Sequence, residues 1–125
     1  MNRQNISGTS PFEATIGFSR AVRIGNQVHV SGTGPVGADE QPAYEQTRQV
    51  LTLIENALHQ AGAKFEHVVR TRMFIAKIED WQDVGRAHGE VFANIRPAAT
   101  MIIAQMINPK WRVEIEADAV LPDAG

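Results

Sequence analysis

The chain has 125 residues, 43% of them apolar and 21% charged, which is enough for one self-sufficient core and excludes a disordered or low-complexity protein. Twelve basic against fourteen acidic residues give a formal charge of −2, the wrong sign for affinity built on nucleic-acid phosphates or an anionic membrane surface. With no cysteine, disulfides, thiolate nucleophiles, thiolate metal sites and iron–sulfur clusters drop out together.

Residues 1–16 read as an irregular leading segment, because Gly8, Ser10 and Pro11 break any pattern. The stretch from Met1 to Pro11 is polar and lacks the apolar core of a secretory signal, so the cytoplasm is the expected compartment. Two β-rich runs, Phe18–Ile24 and Gln27–Ser31, flank Gly25-Asn26. That is a hairpin signal in which both turn positions are expected at positive φ. Gly32 to Gly37, with three glycines and Pro35, reads as a loop.

Pro42 suits the first turn of a helix. From there Thr47, Val50, Leu51, Ile54, Leu58 and Ala61 recur at steps of three and four, and Gly62 is a C-terminal stop. Val68–Ile78 reads as a strand. Asp80 is placed to cap a second helix with Trp81, Val84, His88, Val91 and Phe92 on one side, ended by Pro97. Ala98–Ile107 reads as a strand apolar on both faces. After the Asn108-Pro109 turn, Val113, Ile115, Ala117 and Ala119 alternate with Glu114, Glu116 and Asp118.

The order is therefore β-β-α-β-α-β-β in one domain, residues 1–125, without internal repeats. Two helices cover one face of such a sheet. The doubly apolar strand Ala98–Ile107 needs cover on its second face as well. The sequence thus asks for self-association through the open face, which also carries the three carboxylates. Arg70 and Arg72 share one face of the middle strand and are candidate partners for them. The longest uncharged run, Pro97–Pro109, is too short to span a bilayer.

Gly32-Thr-Gly-Pro-Val-Gly37 matches the dinucleotide-binding spacing letter for letter. The mechanism behind that spacing fails here. Pro35 removes a backbone donor, the helix starts too late to meet a pyrophosphate, and no parallel β-α-β unit surrounds it. No histidine stands at metal-ligand spacing to another. His29 and Ser31 share a strand face, but no third orienting acid is local to them, so a hydrolase triad is not indicated. Gly85 and Gly89, one turn apart, suggest a helix that closely approaches a neighbour.

Four segments occur in order at telling separations: Gly25-Asn-Gln-Val-His-Val-Ser-Gly32, Val69-Arg-Thr-Arg-Met-Phe-Ile75, Arg96-Pro-Ala-Ala-Thr-Met101 and Val113-Glu-Ile-Glu-Ala117. Together, over about Phe18 to Val120, they resemble the Rid family of reactive-intermediate deaminases, also called YjgF or endoribonuclease L-PSP. The resemblance implies an α+β, chorismate-mutase-like fold with a mixed sheet and two helices on one face. It implies a homotrimer with clefts between subunits, and hydrolysis of enamines and imines to carbonyl compounds and ammonia without metal or cofactor. The expected partners are copies of the chain itself and a small-molecule substrate, with no nucleic acid and no membrane.

Carried over residue by residue, the resemblance gives Glu114 as the catalytic group holding water or the imine nitrogen. It gives Phe18, Ser31, Gly32, Arg96, Ala99 and Met101 as substrate-binding positions. Ala99 departs from the pattern, because the family's imino-acid deaminases carry an arginine there, and Gly85 replaces an amide-bearing residue. A guanidinium grips a carboxylate through two charge-assisted bonds, and alanine cannot. The expected substrate is accordingly not a simple 2-iminoacid, unless Arg96 reaches the cleft instead. The other function class left open is a non-catalytic trimeric small-molecule binding or chaperone-like protein. Ribonuclease action fits poorly with the net charge and with the lack of a basic, aromatic patch.

Overall fold

The structure is a computed structural model that describes residues 2–122; residues 1 and 123–125 of the expected domain lie outside it. The strands are β1 (Arg3–Ile6), β2 (Ala21–Ile24), β3 (Gln27–Thr33), β4 (Val68–Ile75), β5 (Ala98–Ile103) and β6 (Val113–Val120). The helices are α1 (Ala43–Gln60) and α2 (Trp81–Phe92), and a short π-helical turn spans Glu13–Gly17. The strands form one sheet in the order β1-β2-β3-β6-β4-β5. Only β4 and β5 run parallel; every other neighbouring pair is antiparallel. This is the mixed α+β arrangement expected.

The period of two in β6 sorts its side chains cleanly. Val113, Ile115, Ala117 and Ala119 are buried in the core, while Glu114, Glu116 and Asp118 stay partly exposed on the opposite face. Ala21, Val28, Val30, Met73 and Ile75 join the buried face, against Val50, Ile54, Ala57 and Leu58 of α1. All six residues of the apolar helix face read from the sequence are buried. Past Gln60 the helix closes as expected. Gly62 takes φ 84° and donates to the His59 carbonyl, and Ala63 donates to that of Leu58.

Five expectations need correction. The leading segment contains β1, which pairs with β2 and places Ile6 in the core; the order is therefore β-β-β-α-β-α-β-β. In the hairpin turn Gly25 alone adopts positive φ, at 59°, and Asn26 does not. Asp80 does not cap α2 with its side chain. It accepts from Arg112 Nε at 3.1 Å, and at 6% exposure it is a buried carboxylate held by an ion pair. Trp81 is 51% exposed and not part of the packed helix face. A Cβ built at Gly85 or Gly89 meets nothing within 4 Å, so neither glycine marks a close approach inside this chain.

The glycine-rich loop has a packing explanation. A Cβ at Gly34 would stand 2.2 Å from Cζ3 of Trp111, and Gly37 turns the chain at φ 92°. Trp111 lies flat over Gly34 and donates from Nε1 to Asp39 Oδ1 at 2.9 Å. β5 is a sheet edge shorter than expected. Ile102 and Ile103 are 48% and 57% exposed, and Ile107 beyond it is 99% exposed.

Candidate active site

The open face of the sheet carries three carboxylates in a row, and the structure treats them differently. Arg72 Nη1 lies 3.2 Å from both Glu116 Oε1 and Asp118 Oδ2. His29 Nδ1 lies 2.7 Å from Asp118 Oδ1. Two of the three are thus absorbed in an ion-pair network, in which Arg72 takes the partner role foreseen for it. His29 is bound to that network and not to Ser31, whose Oγ donates to the Ser19 carbonyl at 2.6 Å. His29 and Ser31 therefore do not form a nucleophile–base pair.

Glu114 is the third carboxylate, and among the described residues it makes no hydrogen bond or ion pair. It faces β3 where the register slips between Val30 and Thr33, the stretch that holds Ser31 and Gly32. A bulge of this kind re-aims backbone beside a site. A Cβ on Gly32 would sit 3.3 Å from Glu114 Oε1, so the bare glycine is what lets the carboxylate lie against the strand. Burial pushes the Glu114 carboxyl above the ordinary glutamate range; Arg20 offsets part of that rise and Glu116 adds to it.

Arg20 was not foreseen from the sequence. It donates from Nη2 to the Gly32 carbonyl at 2.6 Å, and its Nε is buried without a partner. Burial lowers its pKa, while Glu13 and Glu114 raise it. The one signal available was parity, since Arg20 is in phase with Val22 on the run read as a strand. Nearby, Phe18 and Ser31 line a shallow cleft of about 510 Å³ with Glu13, Ser19 and Val22. Phe18 and Ser31 therefore share that cleft, and Glu114 lies against Gly32, the next residue of β3.

The remaining expected residues do not join them within one chain. In the β4–β5 register Ala99 pairs with Thr71 and Met101 with Met73. Thr71 and Met73 are buried on the helix-covered face, so Ala99 and Met101 belong to the face opposite Glu114. Arg96 is exposed in the turn after α2, at φ 56°, donating its N–H to the Phe92 carbonyl. On that side Thr71 Oγ1 and His88 Nε2 are 2.9 Å apart, and burial holds the His88 pKa below its ordinary value. Among the described residues no group of three or more histidine, aspartate or glutamate side chains is placed to hold a metal ion, and no helix is long and apolar enough to cross a membrane.

Comparison with known proteins gives a consistent answer. The family model described as Endoribonuclease L-PSP matches residues 8–121. An uncharacterized protein of Streptomyces coelicolor is 36% identical over 121 residues, covering 93% of this chain and 90% of the relative. The 2-iminobutanoate/2-iminopropanoate deaminase of Bos taurus is 31% identical, covering 94% and 90%. A crystal structure from Mycobacterium tuberculosis, described as a member of the YjgF/YER057c/UK114 family, superposes with a TM-score of 0.89 at 45% identity, covering 96% of this chain and all of that one.

Proposed function

The chain belongs to the endoribonuclease L-PSP family, the YjgF or Rid family, and on that premise we propose that it hydrolyses the C=N bond of a small imine, or of the imine tautomer of an enamine, to a carbonyl compound and ammonia. Glu114 carries the reading. Of the three β6 carboxylates it is the one outside the Arg72–His29 network, it lies against the bare backbone of Gly32, and burial raises its proton affinity.

The chemistry follows from a placed water and a nearby proton acceptor. Water adds to the carbon of a protonated imine and gives one proton to Glu114. The carbinolamine nitrogen takes that proton back, the C–N bond breaks, and the departing ammonia leaves with the hydroxyl proton as ammonium. Protonated imine and water become carbonyl and ammonium, with the carboxylate unchanged.

The reaction takes place between copies of the chain in a homotrimer. Two features support this. Glu114, Gly32, Ser31 and Phe18 lie apart from Ala99 and Met101 within one chain, and β5 leaves Ile102 and Ile103 uncovered. The substrate is an imine without a carboxylate at the end nearest position 99, because Ala99 offers no clamp.

The test is ammonia release from a freshly generated neutral imine and from 2-iminopropanoate. The reading expects faster turnover of the neutral imine. It expects Ala99→Arg to raise 2-iminopropanoate turnover by about a hundredfold, the worth of a bidentate charge-assisted pair at about 1.5–3 kcal/mol per bond, less its ordering cost. Fast wild-type turnover of 2-iminopropanoate that survives Arg96→Ala would reject the substrate assignment. Ligand binding with no ammonia from any imine would favour the binding-protein reading.

A further inference from the structure

We propose that Arg20 is a positioning residue, which fixes the Gly32 bulge through its carbonyl and holds as a carboxylate the Glu114 side chain that lies against that bulge. The inference rests on Glu114 being the proton acceptor of the reaction proposed above.

A guanidinium is the side chain least suited to burial, and an unpartnered buried N–H adds to the penalty. Arg20 shows both, since its Nε is buried with no partner. A solvent-facing ion pair would satisfy the charge more cheaply, and Glu13 stands close enough to favour its charged form. Glu13, however, is engaged elsewhere, accepting from the Gly8 N–H at 2.8 Å. Gly8 itself has no room for a side chain, because a Cβ there would lie 2.9 Å from Glu13 Oε2 and 3.1 Å from Arg20 Cβ. The leading loop is thus packed down onto Arg20 at its Cβ and Cδ. The guanidinium spends its one short bond on the Gly32 carbonyl, at 2.6 Å, in the same irregular stretch of β3 that Glu114 lies against.

The charged groups around Glu114 then resolve into a simple field. From the segment entering β2 comes Arg20, the favourable charge, whose own charged form Glu13 favours. Along β6 comes Glu116, which opposes ionisation. From β4 come Phe74, the register partner of Glu114, and Arg72, which is turned to Glu116 and Asp118. β3 contributes Ser31 and Gly32, which carry no charge. Burial raises the Glu114 pKa and Arg20 is the cation that offsets part of that rise, and it is tied to the backbone that Glu114 packs on. One residue couples the shape of the bulge to the charge state of the acid.

The experiment is carboxyl-carbon NMR of the full chain labelled at glutamate, with the Glu114 signal assigned from Glu114→Gln. Arg20→Gln, which keeps a donor for the Gly32 carbonyl, should raise the Glu114 titration midpoint by about one pH unit, as loss of an adjacent opposite charge does. Arg20→Lys should restore most of it. Should Arg20→Gln fail to fold, the wild type answers alone. The Arg20 Nε resonance should shift with the same midpoint as Glu114, and the shift should vanish in Glu114→Gln. An unmoved midpoint in folded Arg20→Gln, or an Arg20 resonance blind to the Glu114 titration, overturns the proposal. Neither readout needs turnover, so failure of every imine to react would reject the reaction and leave this coupling standing. In an active enzyme, the acid limb of the kcat/KM profile should move upward in Arg20→Gln with Glu114; a purely structural loss would lower the profile without moving the limb.

Discussion

Gly34→Ala isolates one steric contact. Gly34 is not at positive φ, so alanine suits the backbone and only space opposes it. The new Cβ would lie 2.2, 2.3 and 2.7 Å from three ring carbons of Trp111, against about 3.5–4.0 Å for an unstrained carbon contact. The ring must move by more than an ångström, which also breaks its hydrogen bond to Asp39. Overpacking costs about 1–3 kcal/mol, and the lost hydrogen bond adds about 1 kcal/mol. A total near 3 kcal/mol should lower the urea midpoint by about 1–2 M at an m-value of about 2 kcal/mol/M. The assay is urea denaturation followed by circular dichroism at one fixed protein concentration, since self-association alters apparent stability. The decisive comparison is the same substitution in a Trp111→Leu background, where it should cost less than about 1 kcal/mol. A neutral Gly34→Ala, or equal costs in both backgrounds, would refute the steric account.

Two further outcomes follow from buried charges. Arg112→Met leaves Asp80 as a buried carboxylate without its cation; it should cost about 2–3 kcal/mol in denaturant, below the full value for a buried pair because Arg112 is partly exposed, and Asp80→Asn in the same chain should recover part of the loss. The lowered pKa of His88 means the unfolded chain binds the proton first as pH falls, so stability should be full above the ordinary histidine value near 6.5 and decline below it. Thermal midpoints should therefore fall from pH 7 to 5.5 in the wild type and fall less in His88→Gln; parallel declines would remove His88 as the cause.

Periodic features of the fold were readable from the sequence, and pairwise ones mostly were not, the pairing of Arg72 with Glu116 and Asp118 being the exception. The buried face of α1 and the alternation of β6 are local signals, because each residue's environment follows from its neighbours three or two positions away. β1 escaped because four residues at a sheet edge with one buried side chain, Ile6, leave no period to see. Asp80 looked like a helix cap because capping is local, yet its partner, Arg112, lies 32 residues on. The glycine-rich loop betrayed its glycines but not Trp111, which explains Gly34. At the site, Glu114, Ser31, Gly32 and Phe18 were accessible through family resemblance. Arg20 was hidden because its bond to the Gly32 carbonyl depends on a register slip that no pattern in β3 announces.

The role of Glu114 as proton manager in water attack on a C=N bond shows in initial rates of ammonia release from a freshly generated neutral imine, wild type against Glu114→Gln, at equal concentrations of folded protein. Removing a group that acts as general base should lower the rate by about a hundredfold or more. Wild-type release clearly above the uncatalysed rate, falling to near that rate in Glu114→Gln, is the predicted result; equal rates in the two proteins would contradict it.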